Sequence, residues 1–166
     1  MKRALFVGRF QPFHNAHLAD IKKILKESDE VIIAIGSSQE KNTSENPFSC
    51  NERKQMIADA LKKHNIKNFK IHQVPDFHDN NKWTDYIKKN LPKFDSVYSG
   101  NQITLNCFKK DDKVKKIKLI KGISSTKIRN LIIKNKNWER LVPKEVSMQI
   151  NKIKGAERIK KIYFRI

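Results

Sequence analysis

Ala4-Leu5-Phe6-Val7-Gly8-Arg9-Phe10-Gln11-Pro12-Phe13-His14-Asn15-Ala16-His17 runs from a short apolar segment into the first turn of a helix. Ala4–Val7 reads as a buried strand and Val31–Ile35 as a second. Between them Leu18, Ile21, Ile24 and Leu25 recur at helical spacing. A strand–helix–strand unit with connections this short predicts a parallel sheet and a right-handed crossover. Gly8 lets a ligand approach the backbone closely. His14 and His17, three apart, fall on one face of the first helical turn. That turn carries unpaired N–H groups and the positive end of the helix dipole, which together make a seat for phosphate.

The alternation continues along the chain. Ser49-Cys50-Asn51-Glu52 matches a capping box and opens a helix whose inner face is Met56, Ile57, Ala60 and Leu61. Phe69–Val74 predicts a third strand, ended by Pro75. Trp83, Tyr86, Ile87 and Leu91 predict a helix stopped near Pro92. Ser96–Ser99 is a fourth strand, followed by Gly100-Asn101. Lys115–Lys121 is a fifth, with Ile117, Leu119 and Lys121 in alternation. Ser124 or Ser125 then caps a helix through about Asn135. The tail from about Pro143 to Ile166 reads as helical with a break at Gly155. The expected architecture is α/β: one Rossmann-like domain over residues 1–166, a doubly wound parallel sheet with a helical C-terminal tail.

The 166 residues suffice for one hydrophobic core. A net charge of +19 must attract anions, but lysine on solvated faces needs no partner. Cys50 and Cys107 form neither a CxxC pair nor a zinc spacing and read as reduced thiols. Only four apolar residues precede Gly8, too few for a signal peptide, and no run is long enough to span a membrane. A cytoplasmic location is the expectation.

Two segments carry chemistry. Imidazoles at positions 14 and 17 can donate hydrogen bonds to a phosphate on which charge builds. The competing reading is a pair of capping or surface histidines. The second segment is Gly122-Ile123-Ser124-Ser125-Thr126-Lys127-Ile128-Arg129. Hydroxyls and amides at a helix start suit phosphate. Arg129 lies four residues after Ser125, on the same face, where its planar fork suits bidentate phosphate binding.

Together these segments resemble the (H/T)xGH and ISxTxxR signatures of the nucleotidylyltransferase superfamily. Gly8–His14, Ile35–Gln39, Asn46-Pro47-Phe48, Glu52-Arg53, Val97–Asn101 and Trp138…Leu141-Val142-Pro143 further resemble the archaeal-type nicotinamide-nucleotide adenylyltransferases, in order over nearly the whole chain. The resemblance implies adenylyl transfer from ATP to nicotinamide mononucleotide (NMN), giving NAD and pyrophosphate; few visible groups exclude a carboxylate, so nicotinic acid mononucleotide is expected as a further acceptor. It implies catalytic roles for His14, His17 and Arg129. It implies ATP contacts from Gly8, Arg9, Phe10, Gln11, Gly100, Asn101, Ile123, Ser124, Ser125 and Thr126, and NMN contacts from Ser37, Asp76, Asn80 and Trp83. In this scheme Trp83 stacks on the pyridine ring and Asn80 reads the carboxamide. Mg²⁺ is implied as the cofactor, held by substrate phosphates rather than by protein ligands. A homo-oligomer, of which a hexamer is the suggested form, is implied as well.

Two positions depart from the family pattern. Ala16 replaces the glycine of HxGH, where a methyl crowds the surface on which adenosine packs. Ser125 replaces a frequent glycine and shifts the helix cap. His78 and Asp79 have no role in this reading. Two alternatives stand beside it: a nucleotidylyltransferase with a phosphopantetheine or flavin acceptor, and a weakly catalytic relative that senses nucleotides or binds nucleic acid through Lys109, Lys110, Lys113, Lys115, Lys116 and Lys118.

Overall fold

The computed structural model describes residues 1–110 and 112–165. The chain divides into two compact units, residues 1–8, 20–38 and 68–119, and residues 9–19, 39–67 and 120–166.

The first unit holds a five-stranded sheet: β1 (Arg3–Gly8), β2 (Glu30–Ile35), β3 (Phe69–Gln73), β4 (Ser96–Ser99) and β5 (Lys113–Lys116). The strand order is β3-β2-β1-β4-β5, with every neighbouring pair parallel. This is the order of a doubly wound Rossmann-like sheet, as the strand–helix alternation predicts. The central strands bury apolar residues on both faces: Ala4–Val7 in β1 and Val31–Ile35 in β2 are all buried. The edge strands carry lysine instead, Lys70 in β3 and Lys113, Lys115 and Lys116 in β5, which discourages pairing with another chain. On this sheet Leu5, Val7, Ile32, Ala34, Val97, Ile87, Leu91 and Phe108 form one apolar cluster.

The fifth strand is shorter and earlier than the alternation of 115–121 predicts. Its partner β4 has four residues, and the register pairs Ser96 with Lys113 and Ser99 with Lys116. Beyond that, among the described residues, the ladder continues with a bond from Ile117 N–H to the Ser99 carbonyl (3.1 Å), and β4 ends at Ser99. A strand cannot outrun its partner without leaving backbone groups unpaired.

The helices are α1 (Asn15–Ile24), α2 (Cys50–Lys63), α3 (Asn80–Asn90), α4 (Gln102–Phe108), α5 (Ser125–Ile133), α6 (Lys144–Lys152) and α7 (Gly155–Tyr163). The capping box of α2 forms in full: Glu52 N–H donates to Ser49 Oγ, and Ser49 N–H donates to the Glu52 carboxylate. Ser124, rather than Ser125, caps α5 by accepting from Lys127 N–H. Asp79 caps α3, accepting from the amides of Asn81 (2.7 Å) and Lys82 (3.1 Å), which gives that residue a structural role. Helix α4 is missing from the sequence reading. Asn101 caps it, and Leu105 and Phe108 are its buried residues. In the tail the break falls at Ile153-Lys154, with Lys154 in the left-handed region (φ 53°), and Gly155 is the first residue of α7. Among the described residues no helix is long and apolar enough to cross a membrane.

Candidate active site

The second unit gathers the residues of both phosphate segments around the backbone of residues 9–13. Phe10 takes a left-handed conformation (φ 53°), sparsely populated for a non-glycine residue, and so turns the chain sharply after Arg9. Three carbonyls of this loop are each tied down from a helix. Arg53 Nη1 in α2 donates to the Arg9 carbonyl at 2.8 Å. In α5, Arg129 Nη1 donates to the Gln11 carbonyl at 2.8 Å, and Ser125 Oγ donates to the Pro12 carbonyl at 2.9 Å. The Gln11 side chain is buried and clasps the Phe48 backbone from both sides. Its Nε2 donates to the Phe48 carbonyl (2.9 Å), and its Oε1 accepts from Phe48 N–H (3.0 Å). A loop fixed this way presents its groups with little reorganisation on ligand binding.

The histidines are both caps and candidate catalysts. His14 precedes the first residue of α1, and His17 is the third residue of that helix. His17 N–H donates to His14 Nδ1 (3.4 Å), and His14 N–H donates to His17 Nδ1 (3.2 Å). This is the reciprocal geometry of a capping box, built from two imidazoles. The rings stack at 3.5 Å and 12°, with Phe13 stacked and Phe10 edge-on against His17. An Nδ1 that accepts a backbone N–H carries no proton, so the neutral ring carries it on Nε2. The capping reading and the phosphate reading are therefore compatible: Nδ1 serves the helix, and Nε2 carries the proton that a phosphate oxygen would accept.

Burial keeps both rings neutral. It lowers the His14 pKa to about 4 and holds His17 well below the ordinary value, with repulsion from His14 adding to the effect. Between pH 6.5 and about 4 the unfolded chain takes up a proton at residue 14 that the folded chain refuses, so stability falls as pH falls through that window. Asp20, buried and pushed up to about 6 by loss of solvation, acts in the opposite sense. Comparing the parent with His14→Asn isolates the histidine, whose loss is expected to flatten the acid limb by up to about 3 kcal/mol. In ¹⁵N-detected NMR, His14 is expected to show the Nε2–H tautomer at pH 6 and to titrate near 4. A ring that titrates between pH 6 and 7 would refute the neutral pair.

Arg129 is half-buried, and its pKa is lowered first by burial and then by the neighbouring positive charge of Arg9. Its Nη2 lies 3.4 Å from Thr126 Oγ1. Arg9 pairs with Glu45 at 3.1 Å. The Ser125 hydroxyl is engaged with Pro12, whereas Ser124 and Thr126 are exposed at the start of α5, with Ile123 half-buried before them. Ala16 is buried (5% exposed), so its methyl lies largely within the protein.

The remaining predicted residues belong to the first unit. Gly8 ends β1 and accepts from Gly36 N–H at 2.9 Å. Ser37 is left-handed (φ 48°), and its N–H donates to Asp76 Oδ1 at 3.2 Å, which brings those two positions together. Asn80 opens α3, and Trp83 follows one turn later, half-buried at the rim of the apolar cluster and edge-on to Phe108 at 5.7 Å. Gly100 and Asn101 follow β4; the Asn101 Oδ1 accepts from Ile103 N–H at 2.9 Å.

Two residues were missed as parts of the site. Arg53, fully buried, shares the inner face of α2 with Cys50, Met56 and Ile57, so an arginine at that spacing was the available signal. Glu45 carried none, because its partner is 36 positions away.

The cytidylyltransferase-like family model matches residues 5–131. A nicotinamide-nucleotide adenylyltransferase of Methanococcus aeolicus is 44% identical over 163 residues, covering 96% of this chain and 94% of that protein. One of Thermococcus sibiricus is 42% identical over 163 residues, covering 95% and 88%. Among solved structures, a bifunctional NMN adenylyltransferase/ADP ribose pyrophosphatase of Francisella tularensis, in complex with AMP and a manganese ion, superposes with a TM-score of 0.80 at 24% identity over 96% of this chain. The chain spans about half of that bifunctional protein (52%), and the likeness bears on the fold alone. Family model, close relatives and sheet order concur, and the chain belongs to the cytidylyltransferase-like family and, within it, to the nicotinamide-nucleotide adenylyltransferases.

Proposed function

We propose that the protein transfers the adenylyl group of ATP to nicotinamide mononucleotide, forming NAD and pyrophosphate. The observation that carries this reading is the double-histidine cap on a loop fastened by Arg129 and Ser125. The acceptor's phosphate oxygen attacks the α-phosphorus in line, one P–O bond forms, the bond to the β-phosphate breaks, and pyrophosphate leaves. No protein nucleophile is required, so catalysis rests on positioning and charge stabilisation. The Nε2–H groups of His14 and His17 donate to the phosphate oxygens on which charge accumulates. Arg9 and Arg129, with the amides of Ser124–Thr126, hold the outgoing phosphates, and Phe10 and Gln11 shape the loop under them.

Gly100 and Asn101 are assigned to the adenosine, and Gly8 and Ile123 to ATP. Ser37, Asp76, Asn80 and Trp83 are assigned to the acceptor, with nicotinic acid mononucleotide as a second acceptor. The Ser37–Asp76 bond supports a common site for that pair.

Among the described residues no group of three or more His, Cys, Asp or Glu is arranged to hold a metal ion. The divalent cation, Mg²⁺ in this proposal, is assigned to the substrate phosphates, whose charge it would neutralise. Free Cys50 and Cys107 support a reducing, cytoplasmic setting, and the family likeness supports a homo-oligomer.

Pyrophosphate release with ATP and Mg²⁺ tests the reaction, with NMN, nicotinic acid mononucleotide, phosphopantetheine and flavin mononucleotide compared as acceptors. Turnover confined to the pyridine mononucleotides is the expected result. Turnover with another acceptor would overturn the roles of Asn80 and Trp83, and none at all would overturn the reaction.

A further inference from the structure

Arg9 and Glu45 form an ion pair at 3.1 Å in which both side chains remain largely exposed, 51% and 72%. Glu45 does not hang from a loose loop. The Thr43 N–H donates to the Asn46 carbonyl (3.2 Å), and the Asn46 N–H donates back to Thr43 Oγ1 (3.0 Å). The next residues, Asn46, Pro47 and Phe48, are buried, and Phe48 is clasped by Gln11. Glu45 and Arg129 also line one cavity of about 200 Å³, together with Thr43, Ser44, Asn130 and Ile133. A carboxylate is thus fixed among the guanidinium groups assigned to the triphosphate. Its charge offsets the repulsion that Arg9 exerts on Arg129, which lowers the Arg129 pKa.

We propose that Glu45 is a built-in competitor of polyphosphate for Arg9, lowering the affinity for ATP and for pyrophosphate together. The inference rests on the assignment of Arg9 and Arg129 to the triphosphate. An exposed, singly bonded ion pair is weak, so Arg9 changes partners readily when a polyanion arrives. The carboxylate stays nearby and repels the ligand's outer phosphates. Tight binding of those phosphates adds nothing to turnover once ATP saturates the site, and it retards departure of the product that retains them. Glu45 therefore raises KM for ATP and hastens the release of pyrophosphate. The effect is confined to ligands with phosphates beyond the first, so AMP escapes it.

Calorimetric titration of the full chain with inorganic pyrophosphate and with AMP, in Mg²⁺ and at low salt, separates the possibilities. Glu45→Gln is expected to bind pyrophosphate about three- to tenfold more tightly than the parent. AMP affinity is expected to stay within about twofold, and Glu45→Asp to behave like the parent. KM for ATP should fall by a similar factor in Glu45→Gln, with stronger product inhibition by pyrophosphate. Unchanged or weaker pyrophosphate binding by Glu45→Gln, with a parent that binds it, would overturn the competitor role alone. A parent that neither binds pyrophosphate nor releases it from ATP would overturn the triphosphate assignment beneath it.

Discussion

Arg129→Ala and His17→Ala are each expected to lower kcat for pyrophosphate release by about a hundred- to a thousandfold, the scale of removing one fixed donor from a developing charge. The two losses differ in kind. His17 contributes a neutral Nε2–H, and its Nδ1 also accepts the His14 N–H that starts α1. His17→Asn restores a short polar cap without the ring's reach, so its melting temperature should recover while kcat stays low. Arg129 contributes a charge and a fork, one arm of which holds the Gln11 carbonyl. Arg129→Lys keeps the charge and loses the fork, so it should recover only part of the rate. If these groups act in the transition state, kcat and kcat/KM fall together, whereas a rise in KM alone would mark them as uniform binders. Steady-state kinetics on the four variants decides it: kcat within about threefold of the parent in both alanine variants would refute the mechanism.

What the sequence made legible is what local chemistry encodes. Central strands are buried on both faces, so Ala4–Val7 and Val31–Ile35 announce themselves as continuous apolar runs. The α2 cap depends on residues three apart, and Ser49 with Glu52 fulfils it. The first helical turn likewise gives away His14 and His17, although nothing in the spacing says that each ring caps the other. Edge elements are harder, because their limits are set by partners. β5 stops where β4 stops, and the alternation of residues 117 to 121 has no strand to pair with. Ser125 is legible as a helix-start residue, but its bond to Pro12 spans 113 positions. The Arg129 bond to Gln11 spans 118, and only folding brings such pairs together. Glu45 is the extreme case, since an exposed acid in a polar loop has no local signature at all.

Gly155→Ala is expected to lower the melting temperature by about 3–10 °C, against the usual direction of the change. Alanine in place of a helical glycine normally stabilises, by roughly 0.5–1 kcal/mol. Gly155 opens α7 and is buried, and a methyl there would lie 2.7 Å from Phe48 Cε1 and 3.2 Å from both Cγ2 and the carbonyl oxygen of Ile150. Phe48 has nowhere to retreat. Its ring is fully buried, and its backbone is bonded to Gln11 in both directions. Nor does α7 slide freely, because Arg158 grips Glu52 with both arms (2.7 and 2.8 Å) and reaches the Pro47 carbonyl. Overpacking a site this constrained costs about 1–3 kcal/mol, which outweighs the propensity gain. The displaced side chain is the one whose backbone seats Gln11, and Gln11 presents its carbonyl to Arg129. The same substitution should therefore raise KM for ATP, although residue 155 lies far in sequence from every residue assigned to the nucleotide. Thermal melts of Gly155→Ala and of Gly155→Ala with Phe48→Leu test the cause. The smaller leucine side chain should relieve the clash, so a double variant no more stable than the two single losses combined predict would show that the contact with Phe48 is not the reason.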